Sequence, residues 1–226
     1  MAAGDFIDEN GKFLGEDGKK NNKVYVVKST ESGTSKSDIK ATKSFIKENS
    51  GNTEAFEKNS IAYNNSVEIE GSAETRQDMV NTTIGDNGKG GTADGNNREY
   101  GGTVDNNGNV TAATLGAVTD PSQSSQASIT LTTTSQTKST FHSHPSGSKS
   151  ITTGGNISAA GSSTTLVGET TTTYSFVQTP SQTDINNTTS GKTNYVFGKG
   201  NGMVYIYNSS GTQAKIPEKR FVNFTR

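Results

Sequence analysis

The only two histidines among 226 residues stand in one run, Phe141-His142-Ser143-His144-Pro145. On an extended segment, side chains alternate between faces, so His142 and His144 point to the same side and Ser143 to the other. Two neutral imidazoles aimed at one place are the beginning of a Zn²⁺ site. An isolated pair would serve equally well as surface or hydrogen-bonded structural residues, so the surrounding sequence has to decide. Downstream, Thr179-Pro180-Ser181-Gln182-Thr183-Asp184 is by itself a helix-capping signature. Beside the histidines, Asp184 also supplies a carboxylate for a third protein ligand. Three protein ligands with a fourth position left to water is the arrangement of catalytic zinc, whereas structural zinc is closed by four protein ligands and is usually Cys-rich. A carboxylate to carry the proton of such a water is then needed as well. Glu99, in Glu99-Tyr100-Gly101-Gly102, is the favoured candidate because the glycines let backbone approach a site closely. Glu68 and Glu70, in Ser66-Val67-Glu68-Ile69-Glu70, are the runners-up.

These residues need elements to hold them. The opening thirty residues place short apolar runs (Phe6-Ile7, Phe13-Leu14, Val24 to Val27) between Asn-Gly and Asp-Gly pairs, which predicts small strands joined by tight turns. Asp8, Asn10 and Asp17 fit turn chemistry there, since the calcium-loop spacing with its terminal Glu is missing. Ile39, Phe45 and Ile46 share a helical face over 36–49, with Ser37 as the expected N-cap, and a second helix is expected over 53–64. Residues 81–97 read as a loop. Glu99 heads a strand that turns at Asn107-Gly108, and a segment over 127–140 leads into the histidines. A Gly/Ser/Thr-rich tract over 146–178 contains two β-like runs, Ser162 to Val167 and Thr170 to Val177, and two strands flank Gly198 to Gly202 as a hairpin. The expected organisation is an N-terminal β-extension over 1–35 and a main domain over 36–226 with an insertion at about 147–178.

Composition narrows the function. Hydrophobic residues make up 27% of the chain, below the ~45–50% of ordinary domains even allowing for Gly in that figure, so the core is small and much of the chain is surface. A formal net charge of −1 offers no clustered basic face for phosphates, so no nucleic-acid partner is expected. The absence of Cys excludes a disulfide framework and a thiolate site. No apolar run approaches a membrane span, and Met1-Ala2-Ala3-Gly4-Asp5 does not open a secretory signal peptide, so no membrane partner is expected.

The motifs resemble the JAMM (MPN-plus, or JAB1-type) zinc metallopeptidases, whose pattern is a Glu, then His-x-His-Pro, then Ser-x-x-Asp. His142-Ser143-His144-Pro145 and Ser181-Gln182-Thr183-Asp184 match it, and the likeness extends over roughly residues 36 to 210. The resemblance implies an α/β fold of the JAMM/MPN (cytidine-deaminase-like) kind: a mixed, curved sheet flanked by helices, here with the N-terminal β-extension and an inserted hairpin. It implies that His142, His144 and Asp184 bind zinc, that Glu99 is general acid and base, and that Ser181 supports the oxyanion. The reaction is hydrolysis of an amide or isopeptide bond in a protein or peptide substrate. More narrowly, the chain is similar to JAB-like toxin domains of bacterial polymorphic (Rhs-type) toxins, which implies export by a specialised secretion system. Two alternatives stay open: a non-catalytic MPN-like binding module, and a zinc hydrolase toxin with a non-peptide target. One departure is large. The family separates the second His from the Ser by a few residues, whereas 36 lie between His144 and Ser181. Loop-closure cost grows only logarithmically with length, so the site can survive the insertion.

Overall fold

The computed structural model describes residues 4–154, 169–189 and 191–224. The chain begins with β1 (Asp5–Ile7), β2 (Phe13–Glu16) and β3 (Val24–Val27), continues through α1 (Lys36–Glu48), α2 (Thr53–Lys58) and α3 (Ile61–Asn64), and adds β4 (Ser66–Ile69) and α4 (Ala73–Thr83). The strands form one sheet in the order β2-β1-β3-β4, with β1 parallel to β3 and the other pairs antiparallel. The first three strands, expected as an extension, therefore share a sheet with β4 and a core with the rest of the chain.

Alternation explains why Val24-Tyr25-Val26-Val27 is buried throughout. Val24 and Val26 face a central core with Ile7, Val67 and Ile69, while Tyr25 and Val27 face the helices with Phe6, Ile46 and Phe56. The Asp8 carboxylate accepts from the amides of Asn10 and Lys12, and Asp17 from those of Gly4 and Lys19, so these acids carry turn chemistry. The cap of α1 is Ser35 rather than Ser37: its hydroxyl accepts from the Asp38 amide, which is the three-residue spacing a cap requires. The helix expected over 53–64 breaks at Asn59-Ser60, where the Asn59 side chain accepts from the Ile61 amide and competes with helical continuation. Helix α4 was not anticipated, because of its apolar side chains only Met79 is fully buried, beside Thr75, Arg76 and Thr83. Arg76 explains its docking: the guanidinium donates to the carbonyls of Glu70, Gly71, Phe221 and Val222, tying the helix to the chain's last turn.

The second half supplies β5 (Gly101–Asp105), β6 (Val110–Ala112), β7 (Thr137–His144), β8 (Ser148–Thr153), β9 (Thr170–Ser175), α5 (Gln182–Asn186), β10 (Asn194–Gly198), β11 (Met203–Asn208), β12 (Gly211–Pro217) and α6 (Glu218–Phe221). Six strands make a second mixed sheet, ordered β12-β11-β10-β7-β5-β6, in which only β7 and β10 are parallel. The fold is mixed α/β, two mixed sheets with flanking helices. Its central core lies between the sheets: Phe141, Tyr195, Phe197, Val204 and Ile206 meet Ile7, Val24, Val26, Val67 and Ile69. The few hydrophobic residues are thus concentrated in the two sheets and the helix faces packed on them, while residues 113–136 run over the surface without helix or strand.

Strands β8 and β9 form a separate two-stranded ribbon from Ser148↔Ser175 to Thr153↔Thr170, with no third strand at either edge among the described residues. Every residue of β9 is exposed, and hydroxyl pairs Ser150–Thr173 and Thr152–Thr171, each at 2.9 Å, lace the strands together. The β-like run at 162–167 lies outside the described residues.

Candidate metal centre

The histidines stand at the end of β7, the strand flanked by β5 on one side and β10 on the other. Phe141 points into the central core, so the alternating His142 and His144 emerge on the opposite face of the sheet. Ser143 points back and fixes register. Its amide donates to the Tyr100 carbonyl at 2.7 Å, and its hydroxyl accepts from the Tyr100 amide at 3.0 Å, which locks the residue after Glu99 to the residue between the histidines. Gly101 lies opposite His142 in the β5–β7 register. A Cβ at Gly101 would fall 2.8 Å from His142 Cα and closer still to the Phe141 carbonyl, so only glycine lets Glu99's strand approach this far. Beyond Pro145, the buried Asp86 carboxylate receives both the amide and the hydroxyl of Ser146, each at 2.6 Å, and pins the turn that leaves the site.

Asp184 arrives from the first turn of α5. Ser181 caps that helix in a reciprocal box: the Asp184 amide donates to the Ser181 hydroxyl, while the Ser181 amide and hydroxyl donate to Asp184 Oδ2 at 2.6 and 2.7 Å. The capping and ligand readings of this motif are therefore compatible. Ile185 packs with Val196, Tyr205 and Tyr207 on the sheet face that carries the histidines, which seats the short helix.

The side chains converge. His142 Nε2 and His144 Nε2 are 3.2 Å apart. Asp184 straddles them, with Oδ1 3.2 Å from His142 Nε2 and Oδ2 3.3 Å from His144 Nε2. Glu99 Oε1 is 4.0 Å from His144 Nε2. Glu99, His142 and His144 are 5%, 4% and 6% exposed, and their donor atoms all lie within 4.8 Å of one another, close enough to hold a metal ion. Among the described residues, Nδ1 of each histidine is buried without a hydrogen-bond partner. Support for this donor set therefore comes through Asp184 and Ser181, not from behind the rings.

Charge follows from this crowding. Burial pushes the Glu99 carboxyl above its ordinary value; His142 and His144 pull it down without cancelling the effect, and Asp184 adds to the rise. For His142, burial disfavours the imidazolium, but the Asp184 hydrogen bond and the Glu99 and Asp184 charges outweigh it and raise the net value. Burial also works against Asp184, yet hydrogen bonds from His142, His144 and Ser181 hold it well below the usual carboxylate range. The four groups border a cavity of about 460 Å³ that is also lined by Ala127, Ile129 and Leu131 from the 113–136 segment.

No protein-family model, no curated protein and no solved structure matches this chain. The geometry is what speaks for the site.

Each residue singled out in the sequence has a definite place. Glu99, His142, His144, Ser181 and Asp184 all border the one cavity. Glu68 and Glu70 do not: Glu68 pairs with Lys23 at 2.7 Å, and Glu70 with Lys138 at 2.8 Å. The oxyanion role that the resemblance gives Ser181 meets an obstacle, because its single hydroxyl proton is directed at Asp184. In this arrangement Ser181 orients a carboxylate. Sequence reasoning gave no role to Asp86 or Tyr207, and placed Ser143 without its register-fixing bonds to Tyr100. Tyr207 is buried on the cavity wall, its phenol raised first by burial and then by Asp184. Only the Ser at the centre of His-x-His, which must face away from the rings, carried a signal.

Proposed function

We propose that this chain is a zinc-dependent hydrolase of amide or isopeptide bonds in proteins or peptides, a metallopeptidase of the JAMM/MPN type that its motifs resemble. The observation that carries the reading is Asp184 meeting both histidine Nε2 atoms beside buried Glu99, across an insertion that separates the motifs in sequence. The two Nε2 atoms stand 3.2 Å apart, near the edge, about 3.3–3.4 Å, of a tetrahedron whose bonds are ~2.0–2.1 Å, and each has an Asp184 oxygen at 3.2 or 3.3 Å. Hydrogen bonds from each Nε2 to its own Asp184 oxygen leave the 3.2 Å approach of the two ring nitrogens to each other unexplained, and a shared ion accounts for it. Two His nitrogens and one carboxylate suit zinc with an open position.

Bound there, zinc would supply Lewis-acid polarisation of the scissile carbonyl and a water of lowered pKa. His142, His144 and Asp184 would hold it. Glu99, raised by burial, takes a proton from the attacking water and returns it to the leaving amine. Ser181 keeps the Asp184 carboxylate turned toward the histidines. Among the described residues no Lys or Arg borders the cavity, which favours a neutral amide over a phosphoester as the bond placed there.

The test joins metal content to turnover. Protein purified without chelator should carry about one zinc per chain, and cleavage of peptide and isopeptide-linked substrates should vanish with chelator and return with zinc. Cleavage that persists in chelator, or a protein that takes up no zinc, overturns the reading.

A further inference from the structure

The insertion raises a mechanical problem. Two ligands precede it and the third follows it, so something must close the loop at its base and return the chain to the same place. Gln178 sits at that base. Its Nε2 donates to the Pro145 carbonyl at 2.8 Å and to the Phe176 carbonyl at 3.0 Å, and its Oε1 accepts from the Gly200 amide at 2.6 Å. One side chain thus joins the residue after His144, the returning arm of the ribbon, and the turn between β10 and β11.

The receiving turn is shaped for it. A Cβ at Gly200 would lie 3.0–3.2 Å from the Gln178 amide group, and one at Gly198 would lie 2.9 Å from the Gln178 carbonyl oxygen. The same turn holds the other arm, since the Lys199 amide donates to the His144 carbonyl at 3.1 Å. Two hydrogen bonds and two close glycine approaches therefore fasten both ends of the insertion to one hairpin turn, and Gln178 Nε2 bridges the two ends. From Gln178 the chain needs only Thr179 and Pro180 to reach the Ser181 cap, and Pro180 has a fixed φ.

We infer that Gln178 is a positioning residue for the metal centre: it closes the 147–178 insertion so that Asp184 is delivered to His142 and His144. The inference rests on the metal-site reading, and its experiment separates the two. Gln178→Met keeps the side chain's length and bulk but removes its hydrogen bonds, Gln178→Glu keeps the acceptor and loses both donors, and Gln178→Ala removes the group. The full-length variants are compared with wild type for zinc affinity by chelator competition, for the visible spectrum of the Co²⁺ form, and, without metal, for amide exchange at Gly200 and the backbone resonances of His144 and Asp184.

The expected result is a loss of zinc affinity of about ten- to a hundredfold in Gln178→Met and Gln178→Ala, a smaller loss in Gln178→Glu, and an altered Co²⁺ spectrum. In metal-free protein, Gly200 loses exchange protection and the Asp184 resonance shifts. Should Gln178→Ala fail to fold, Gln178→Met and Gln178→Glu decide. Unchanged affinity, an unchanged spectrum and an unmoved Asp184 resonance in Gln178→Met overturn the inference. If wild type binds neither metal, the metal reading fails, and the metal-free Gly200 and Asp184 signals alone decide whether Gln178 closes the insertion.

Discussion

Asp184 Oδ1 stands 3.2 Å from His142 Nε2, although the whole β8–β9 ribbon lies between them in the chain. The contact depends on where two separate elements end: β7, which holds the histidine on a sheet face, and α5, whose first turn holds the carboxylate. Metal retention and turnover should therefore respond to different residues.

Replacing Asp184 by Ala removes the group that spans both Nε2 atoms, so zinc affinity should fall by more than the roughly hundredfold that indirect supporting residues cost. Glu99→Gln keeps the shape and the imidazole pair but cannot carry a proton. It should retain zinc while turnover drops by about 10²–10⁴-fold. Metal analysis and steady-state rates on the two variants check this, and zinc loss in Glu99→Gln would move Glu99 into the ligand set.

Gly101→Ala tests the close approach of the Glu99 strand to the histidine strand. The added methyl would meet Phe141 O and the His142 backbone, neither of which can rotate away. A destabilisation of about 1–3 kcal/mol is expected, read as a lower urea midpoint, together with weakened zinc binding. A variant as stable as wild type would show that β5 and β7 slide apart freely.

The ribbon should be separable from the metal site. Ser148 and Ser175 face each other in register, so joining them through a short Gly-containing turn in place of residues 149–174 leaves Gln178, Ser181 and Asp184 in their settings. Zinc affinity should stay within about twofold of wild type, as for sites without shared contacts. A large loss would mean that the ribbon itself supports the ligands.

Alkaline titration should report burial of the aromatic residues. Tyr25 is pushed up to about 12, first by burial and then by Glu68 and Asp17, and Tyr63, Tyr100, Tyr195 and Tyr207 are also raised, each chiefly by burial. An acid whose folded pKa exceeds its unfolded value keeps its proton longer in the native state. Stability is therefore lost as pH climbs above the ordinary phenol value of 10.0. The phenolate absorbance of these five tyrosines should lag and then rise together with unfolding; ionisation of all five at pH 10 in a folded protein would contradict it.

The chemistry-bearing residues were legible because their types are scarce and their spacing is local: period-two alternation aligns His142 and His144, and a capping box fixes Ser181 against Asp184. The hairpin at Gly198 to Gly202 and the helix over 36–48 were legible for the same reason, since hydrogen bonds between near neighbours leave a pattern along the chain. Helix α4 was hidden because it is held by Arg76 bonding to distant carbonyls and has little apolar periodicity.

From sequence alone come the donor types, their facing and the turn chemistry, all set by backbone geometry within a few residues. Only the tertiary structure decided that Asp184 reaches the histidines, that Glu99 and not Glu68 or Glu70 joins them, and that β1 to β3 share a core with the second sheet. Those outcomes depend on long-range strand order and on contacts such as Gln178 to Gly200. The energy of such contacts comes from segments far apart in the chain, so no local pattern encodes them.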